Sequence, residues 1–141
     1  MISNGSFDDR DAGWIGVNEI NTNGKGGTGD NCLIFRGSAA VRNVVLKNNI
    51  KVFPSEVYEY TYVYQTSSDA DGSEGNQKMR ISNSEDGSLI SATGWNGVQT
   101  SWARKTKTFT VPSNVYSLQI SFMCNISTGW VKIDDIELKL L

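Results

Sequence analysis

Two adjacent carboxylates, Asp134 and Asp135, sit inside the last apolar run of this 141-residue chain. Beyond them Ile136, Leu138 and Leu140 alternate with Glu137 and Lys139, the period of a half-buried strand. Aspartate is depleted in strands, and a carboxylate withdrawn from water needs a hydrogen-bonding partner, a counter-charge or a metal. Ile133 and Ile136 are separated by an odd offset. Both can face a core only if the strand gains a residue between them, so Asp135 is expected at a turn-out or bulge.

Other acidic residues cluster on loops: Asp69, Asp71 and Glu74 on one, Glu85 and Asp86 on another. Paired carboxyls that cleave a glycosidic bond stand about 5–9.5 Å apart across a cleft, and loops rich in Ser and Gly hold that geometry poorly. Histidine is absent, which removes His acid–base chemistry, Ser-His and Cys-His pairs and His metal ligands. The chain therefore reads as a non-enzyme. Cys32 and Cys124 read either as small buried hydrophobes or as a disulfide between adjacent strands in an oxidising compartment.

The elements that carry these residues are short β-runs. They cover 32–36, 41–46, 57–65, 77–82, 102–111, 116–124 and 130–141. In the strongest, Tyr58, Tyr60, Tyr62 and Tyr64 alternate with Glu59, Thr61, Val63 and Gln65. No stretch has a helical apolar period. Two segments read as loops: 21–31, with Gly24, Gly26, Gly27 and Gly29, and 67–76. The glycine-rich one lacks the Gly-Lys-Ser/Thr ending of a phosphate-binding loop. The expected fold is an all-β sandwich of two antiparallel sheets, formed by a single domain over 1–141 that is expected to be part of a larger protein. Net charge is −2 with scattered Lys and Arg, which argues against nucleic acid or an anionic membrane as partner. No apolar run approaches the ~20 residues of a membrane helix, and the N-terminus lacks the charged and apolar regions of a signal peptide.

The motifs Asn4-Gly5-Ser6-Phe7-Asp8, Gly13-Trp14, Ser101-Trp102, Phe109-Thr110-Val111-Pro112 and Ile133-Asp134-Asp135-Ile136-Glu137-Leu138 occur in an order that resembles carbohydrate-binding modules of the family 4/9/22 type. Those modules are galactose-binding-domain-like β-jelly rolls, and the resemblance spans almost the whole chain. It implies a structural Ca2+ held by Asp8 and Asp134, with backbone carbonyls from the loop Lys25 to Asp30. Calcium takes about six to eight oxygen ligands, which carboxylates from both chain ends would suit. Asp8 stands where the family has Glu, a shorter arm.

The resemblance also implies glycan binding on an outer sheet face or at its rim. Sugar recognition needs flat aromatic rings and planar polar side chains. With the four tyrosines inward, Gln65 points out. Arg80 and Gln119 point out by the same alternation, and the three are expected to share one face. Trp14 and Trp102 match structural positions, and Trp130 is ambiguous. Trp95, in a turn beside Asn96, is the expected stacking platform. The implied role is non-catalytic attachment of a parent enzyme, or of a phage tail or virion protein, to a polysaccharide or bacterial cell-surface glycan. The expected location is extracellular or on a virion surface. The alternative is a structural or protein–protein interaction sandwich in a tail fibre or surface assembly.

Overall fold

The computed structural model describes residues 2–38 and 40–141. The strands are β1 (Trp14–Ile15), β2 (Ile20–Gly24), β3 (Gly27–Arg36), β4 (Arg42–Leu46), β5 (Ile50–Lys51), β6 (Val57–Thr66), β7 (Gln77–Asn83), β8 (Leu89–Gly94), β9 (Ala103–Thr110), β10 (Ser117–Cys124) and β11 (Trp130–Leu140). They form a β-sandwich. One sheet has six strands in the order β1-β4-β10-β7-β8, with β5 also paired to β10. The other has five, in the order β2-β3-β11-β6-β9. Every pairing is antiparallel. This is the expected architecture, and all seven anticipated runs are strands.

Alternation builds the core. Tyr58, Tyr60, Tyr62 and Tyr64 of β6 point inward and meet Leu118, Ile120 and Phe122 of β10 and Met79 and Ile81 of β7. A buried phenol needs a partner for its hydroxyl. Tyr62 Oη donates to the Thr93 carbonyl at 2.8 Å, Tyr60 Oη shares a hydrogen with Ser91 Oγ at 2.9 Å, and Tyr58 Oη accepts the Phe53 amide at 3.0 Å. The tyrosines thus bring wide rings to the core while their polar ends bond the opposite sheet and a rim loop.

The acidic pair sits at a bulge. Asp134 lies opposite Val63 and Glu137 opposite Thr61, so β11 carries one residue more than β6 between these pairs. Asp135 is the extra residue and adopts φ +49°, a left-handed conformation that Asp tolerates better than most side chains. Ile133 and Ile136 both reach the core, as the odd offset requires.

The segment 21–31 is a strand hairpin rather than a loop. β2 and β3 pair through it, with irregular register at Asn23. Gly27 and Gly29, at φ +93° and +91°, permit the bends that obscured strand periodicity there.

Candidate functional site

On β11 the side chains of Trp130, Lys132 and Asp134 face away from the core, because Val131 and Ile133 face into it. Asp134 is nevertheless only 1% exposed. The β2–β3 hairpin closes over it. A Cβ placed on Gly24 would lie 2.8 Å from Asp134 Oδ2 and 2.7 Å from Asp30 Oδ2. Only glycine fits there, and the two carboxylates converge on the space it leaves. The Lys25 amide donates to Asp134 Oδ2 at 3.3 Å, the Asp135 amide to Asp134 Oδ1 at 2.9 Å, and the Gly26 amide to Asp30 Oδ2 at 2.8 Å.

Desolvation pushes the Asp134 carboxyl up to about 7, against the pull of the Asp135 amide and with help from the Asp135 charge and the Asp30 carboxyl. Burial also raises Asp135, and the Asp30 charge adds to it. Two acids held this close in little water call for a shared proton or a bound cation.

Of the expected metal ligands, then, Asp30 and Asp134 come together. The Lys25 backbone N–H bonds Asp134, which brings the hairpin loop that the resemblance names as a source of carbonyl ligands against the acid. Asp8 lies exposed in the turn after Phe7 and makes no side-chain hydrogen bond or ion pair among the described residues. The N-terminal loop meets β11 by backbone instead, with the Ile136 amide donating to the Gly5 carbonyl at 2.9 Å. Among the described residues no three Asp, Glu, His or Cys side chains gather as a metal-binding group. The space over Gly24 offers two carboxylates, which suits a hard cation only if carbonyls and water complete its shell.

Both cysteines are free and buried. Cys32 faces outward on the five-stranded sheet and Cys124 inward on the six-stranded one, so the two are not bridged. Burial pushes each thiol up to about 12.

Trp95 is not an exposed platform. It is 5% exposed, and its ring stacks on Tyr64 with centroids 4.0 Å apart. Gly94 makes this possible, since a Cβ there would stand 2.0 Å from the Gln77 carbonyl oxygen. The turn therefore lies flat on β7 and drives the indole into the end of the core, where Gln77 Nε2 bonds the Trp95 carbonyl at 3.0 Å. Asn96 is exposed but is engaged in a loop contact, its Oδ1 accepting the Glu74 amide at 2.8 Å.

Gln65, Arg80 and Gln119 do not share a face either. Gln65 is on β6 of the five-stranded sheet, whereas Arg80 and Gln119 are on β7 and β10 of the other. The chain crosses between sheets after β6, a step that strand alternation alone does not reveal.

Trp102, expected at a structural position, and Trp130, left ambiguous by the sequence, are both half-buried and lie outside the core cluster. Ala103 packs against the core, so Trp102 beside it faces out. Trp102 directly precedes Ala103, which pairs with Tyr64, the neighbour of Gln65. Gln65 is opposite Lys132, Lys132 is opposite Ile34, and Trp130 is opposite Arg36. These residues form one band across the outer face of the five-stranded sheet. Lys132 Nζ lies 4.8 Å from the Trp130 ring centroid and donates to the Asn23 carbonyl at 3.1 Å, which holds ring and hairpin together. Gln65 Nε2 donates to the Thr100 carbonyl at 2.9 Å. At the rim, Arg36 grips Glu19 with two hydrogen bonds of 2.8 Å.

The loop carboxylates have structural duties. Asp71 accepts the Ser127 and Thr128 amides at 2.9 and 3.2 Å and the Ser127 hydroxyl, and those bonds lower its pKa. Asp86 accepts the Ser88 amide and hydroxyl at 2.9 and 2.7 Å.

No protein-family model matches the chain, and no curated protein matches it in sequence. Solved structures share its fold. A family 4 carbohydrate-binding module superposes with TM-score 0.67 at 22% identity, over 96% of this chain and 99% of that one. Carbohydrate-binding modules of other types match as well. The enzymatically active domain of tailspike protein 4 from bacteriophage CBA120 has TM-score 0.70 at 15% identity, over 99% of this chain and 21% of that one. A Stig cyclase from Fischerella sp. TAU has TM-score 0.64 at 15% identity, over 100% of this chain and 96% of that one. The chain thus has the galactose-binding-like jelly-roll fold of carbohydrate-binding modules, a fold that also carries catalysis elsewhere.

Proposed function

We propose that this chain is a non-catalytic carbohydrate-binding module that holds a glycan on the outer face of its five-stranded sheet. The observation that carries this reading is the outward band of Trp102, Gln65, Trp130 and Arg36. One half-buried indole, Trp102, directly precedes β9 and the other, Trp130, begins β11; those strands are separated by β6 and hence about 10 Å apart at the usual strand spacing. Each offers an apolar plane to a pyranose ring, and the amide and guanidinium beside them bond hydroxyls. The parallel with solved carbohydrate-binding modules supports the same reading.

Catalysis is disfavoured by the acids themselves. The strongly perturbed carboxyl, Asp134, lies under the hairpin in contact with Asp30, leaving no room between them for a scissile bond. Asp71 and Asp86 are committed to turns.

The module would attach a parent enzyme, or a tail or surface protein, to a polysaccharide or cell-surface glycan outside the cell or on a virion. Tailspike likeness supports the virion setting through fold alone. Asp30 and Asp134, with carbonyls of the 25–30 loop and water, are the groups that would hold a calcium ion at the hairpin bordering the glycan face. Its chemistry there would be charge neutralisation of two desolvated acids.

A glycan array read with and without chelator tests the proposal. Binding to at least one polysaccharide, lost in Trp102→Ala/Trp130→Ala with the fold intact, is the expected result. No binding above background across plant and bacterial glycans would remove it.

A further inference from the structure

The end of the sandwich where β5 stops and β10 starts carries two large aromatic side chains in water. Phe53 is 65% exposed and Tyr116 is 62% exposed. With Lys51, Val52, Pro54 and Ser117 they line one open depression of about 630 Å3. A lone exposed apolar residue needs no explanation, but two rings around one depression do. The frame beneath them is firm. The Val52 amide donates to the Tyr116 carbonyl at 3.0 Å, the Phe53 amide donates to Tyr58 Oη at 3.0 Å, and Lys51 pairs with Ser117. Bonded backbone, not a free loop, holds both rings at the surface.

Charges of opposite sign flank the rings. Ser117 of β10 pairs with Lys51 of β5 on one side. On its other side the Ser117 carbonyl accepts the Ser84 amide at 3.1 Å, from the turn that follows β7. Lys51 and the turn holding Glu85 are therefore two strand spacings apart, about 10 Å, with β10 between them. Lys51 and Glu85 are both exposed, and among the described residues the side chain of neither joins an ion pair. Asp86 of the same turn is already committed to Ser88.

We propose that this end of the sandwich is a self-complementary docking surface for a second copy of the chain, anchored by Phe53 and Tyr116 and aligned by Lys51 and Glu85. In a twofold contact, residue i of one copy meets residue j of the other, and j meets i. With the axis at the aromatic pair, Lys51 faces Glu85 of the partner subunit, and Glu85 faces Lys51 of the partner subunit. Each depression then receives the rings of the other copy. Aromatic anchors inside a polar rim are the usual make-up of a protein contact. The two opposite charges select the occupant. A purely apolar partner would leave both without a counter-charge, and a partner of one sign would be repelled by one of them. Two rings are a small patch against the roughly 1,000 Å2 that a stable interface buries, so the dimer is weak and reversible. The inference goes beyond the carbohydrate-binding reading and does not depend on it. Where both hold, pairing two modules joins two glycan faces, and such linkage raises avidity by about 100- to 10,000-fold.

Sedimentation equilibrium of the full chain, over a wide concentration range, tests the proposal. The expected result is a monomer–dimer equilibrium that Phe53→Ala/Tyr116→Ala shifts to monomer. Lys51→Glu and Glu85→Lys should each weaken association by about tenfold or more, because each sets like charges face to face. Mixed one to one, these two variants should dimerise with each other, and the double variant Lys51→Glu/Glu85→Lys should regain dimerisation by itself. All four side chains are exposed, and an unchanged melting temperature checks the fold of each variant. A wild type that stays monomeric up to about 1 mM overturns the proposal. So does a dimer indifferent to the aromatic changes, or one that the two charge variants weaken but their mixture does not restore. Amide shifts at Phe53 and Tyr116 when cellotetraose is added to a monomeric wild type overturn it in favour of a sugar. Glycan binding at Trp102 and Trp130 is read separately on the array, so either reading can fail alone.

Discussion

The two outer faces of this sandwich are built from the same alternation and end up chemically opposite. On the five-stranded face, several side chains that point away from the core are still withdrawn from water: Cys32, Ile34, Val63, Lys132 and Asp134 are all buried, while Gln65, Trp130 and Arg36 keep some exposure. On the six-stranded face Gln119 is exposed, and Ser121, Met123 and Arg80 are partly so. The difference comes from the β2–β3 hairpin, whose tip folds across β11 and is held there by Asp134 and Lys132. Facing outward and being hydrated are thus separate properties. A covered face can raise the pKa of an acid by desolvation, as at Asp134.

The sharpest way to break the comparison uses the tryptophans. Trp95→Ala removes a ring from the core and should cost about 3–5 kcal/mol of stability, read by denaturant unfolding. Trp130→Ala, half-buried on the five-stranded face, should cost much less stability and weaken glycan binding by about 2 kcal/mol, or roughly thirtyfold, read by calorimetry. A reversal of these two results would exchange the roles of core and site.

Ionisation sharpens the comparison next. Asp134 has its folded pKa raised to about 7, well above the ~3.9 of an unfolded Asp. Between these values the folded state binds the proton more tightly. Stability from this group is therefore full below about pH 4 and falls as pH rises through 7. In chelator, the melting temperature of Asp134→Asn should lose that downward slope relative to wild type. Calcium added at pH 7.5 should raise the melting temperature of wild type and not of Asp134→Asn. A wild type with no such slope and no response to calcium would mean that the acids are satisfied by the backbone amides alone. The smallest effect is expected at the rim. Arg36 and Glu19 form an exposed pair, so Glu19→Gln should change stability by less than about 1 kcal/mol, while Arg36→Ala should weaken glycan binding measurably.

Much of the architecture was legible because alternation is a local signal. The tyrosine strand, the inward Ile120 and Phe122 and the bulge at Asp135 follow from odd and even spacing alone. The site was less legible because it depends on which sheet a strand joins. Gln65 and Arg80 look equivalent in sequence and stand on opposite sides of the molecule. Trp95 looked exposed because its flanking residues, Gly94, Asn96 and Gly97, are those of a turn. Nothing in that spacing shows that Gly94 lets the turn press onto β7. Trp102 carried a readable signal, its odd offset from inward Phe109, which the family motif masked. Asp8 matched the motif by position, but the loop that contains it docks through the Gly5 carbonyl.

The bulge makes the last strand a counting device. Residues 136–141 keep their phase only because one extra residue precedes them, and β11 lies in the middle of its sheet. Identity at Asp135 is therefore negotiable, and length is not. Asp135→Gly suits a φ of +49° and should be tolerated. Deleting Asp135 would turn Leu138 to solvent and Glu137 toward the tyrosines, so a single-residue loss there would act like a frameshift in three dimensions.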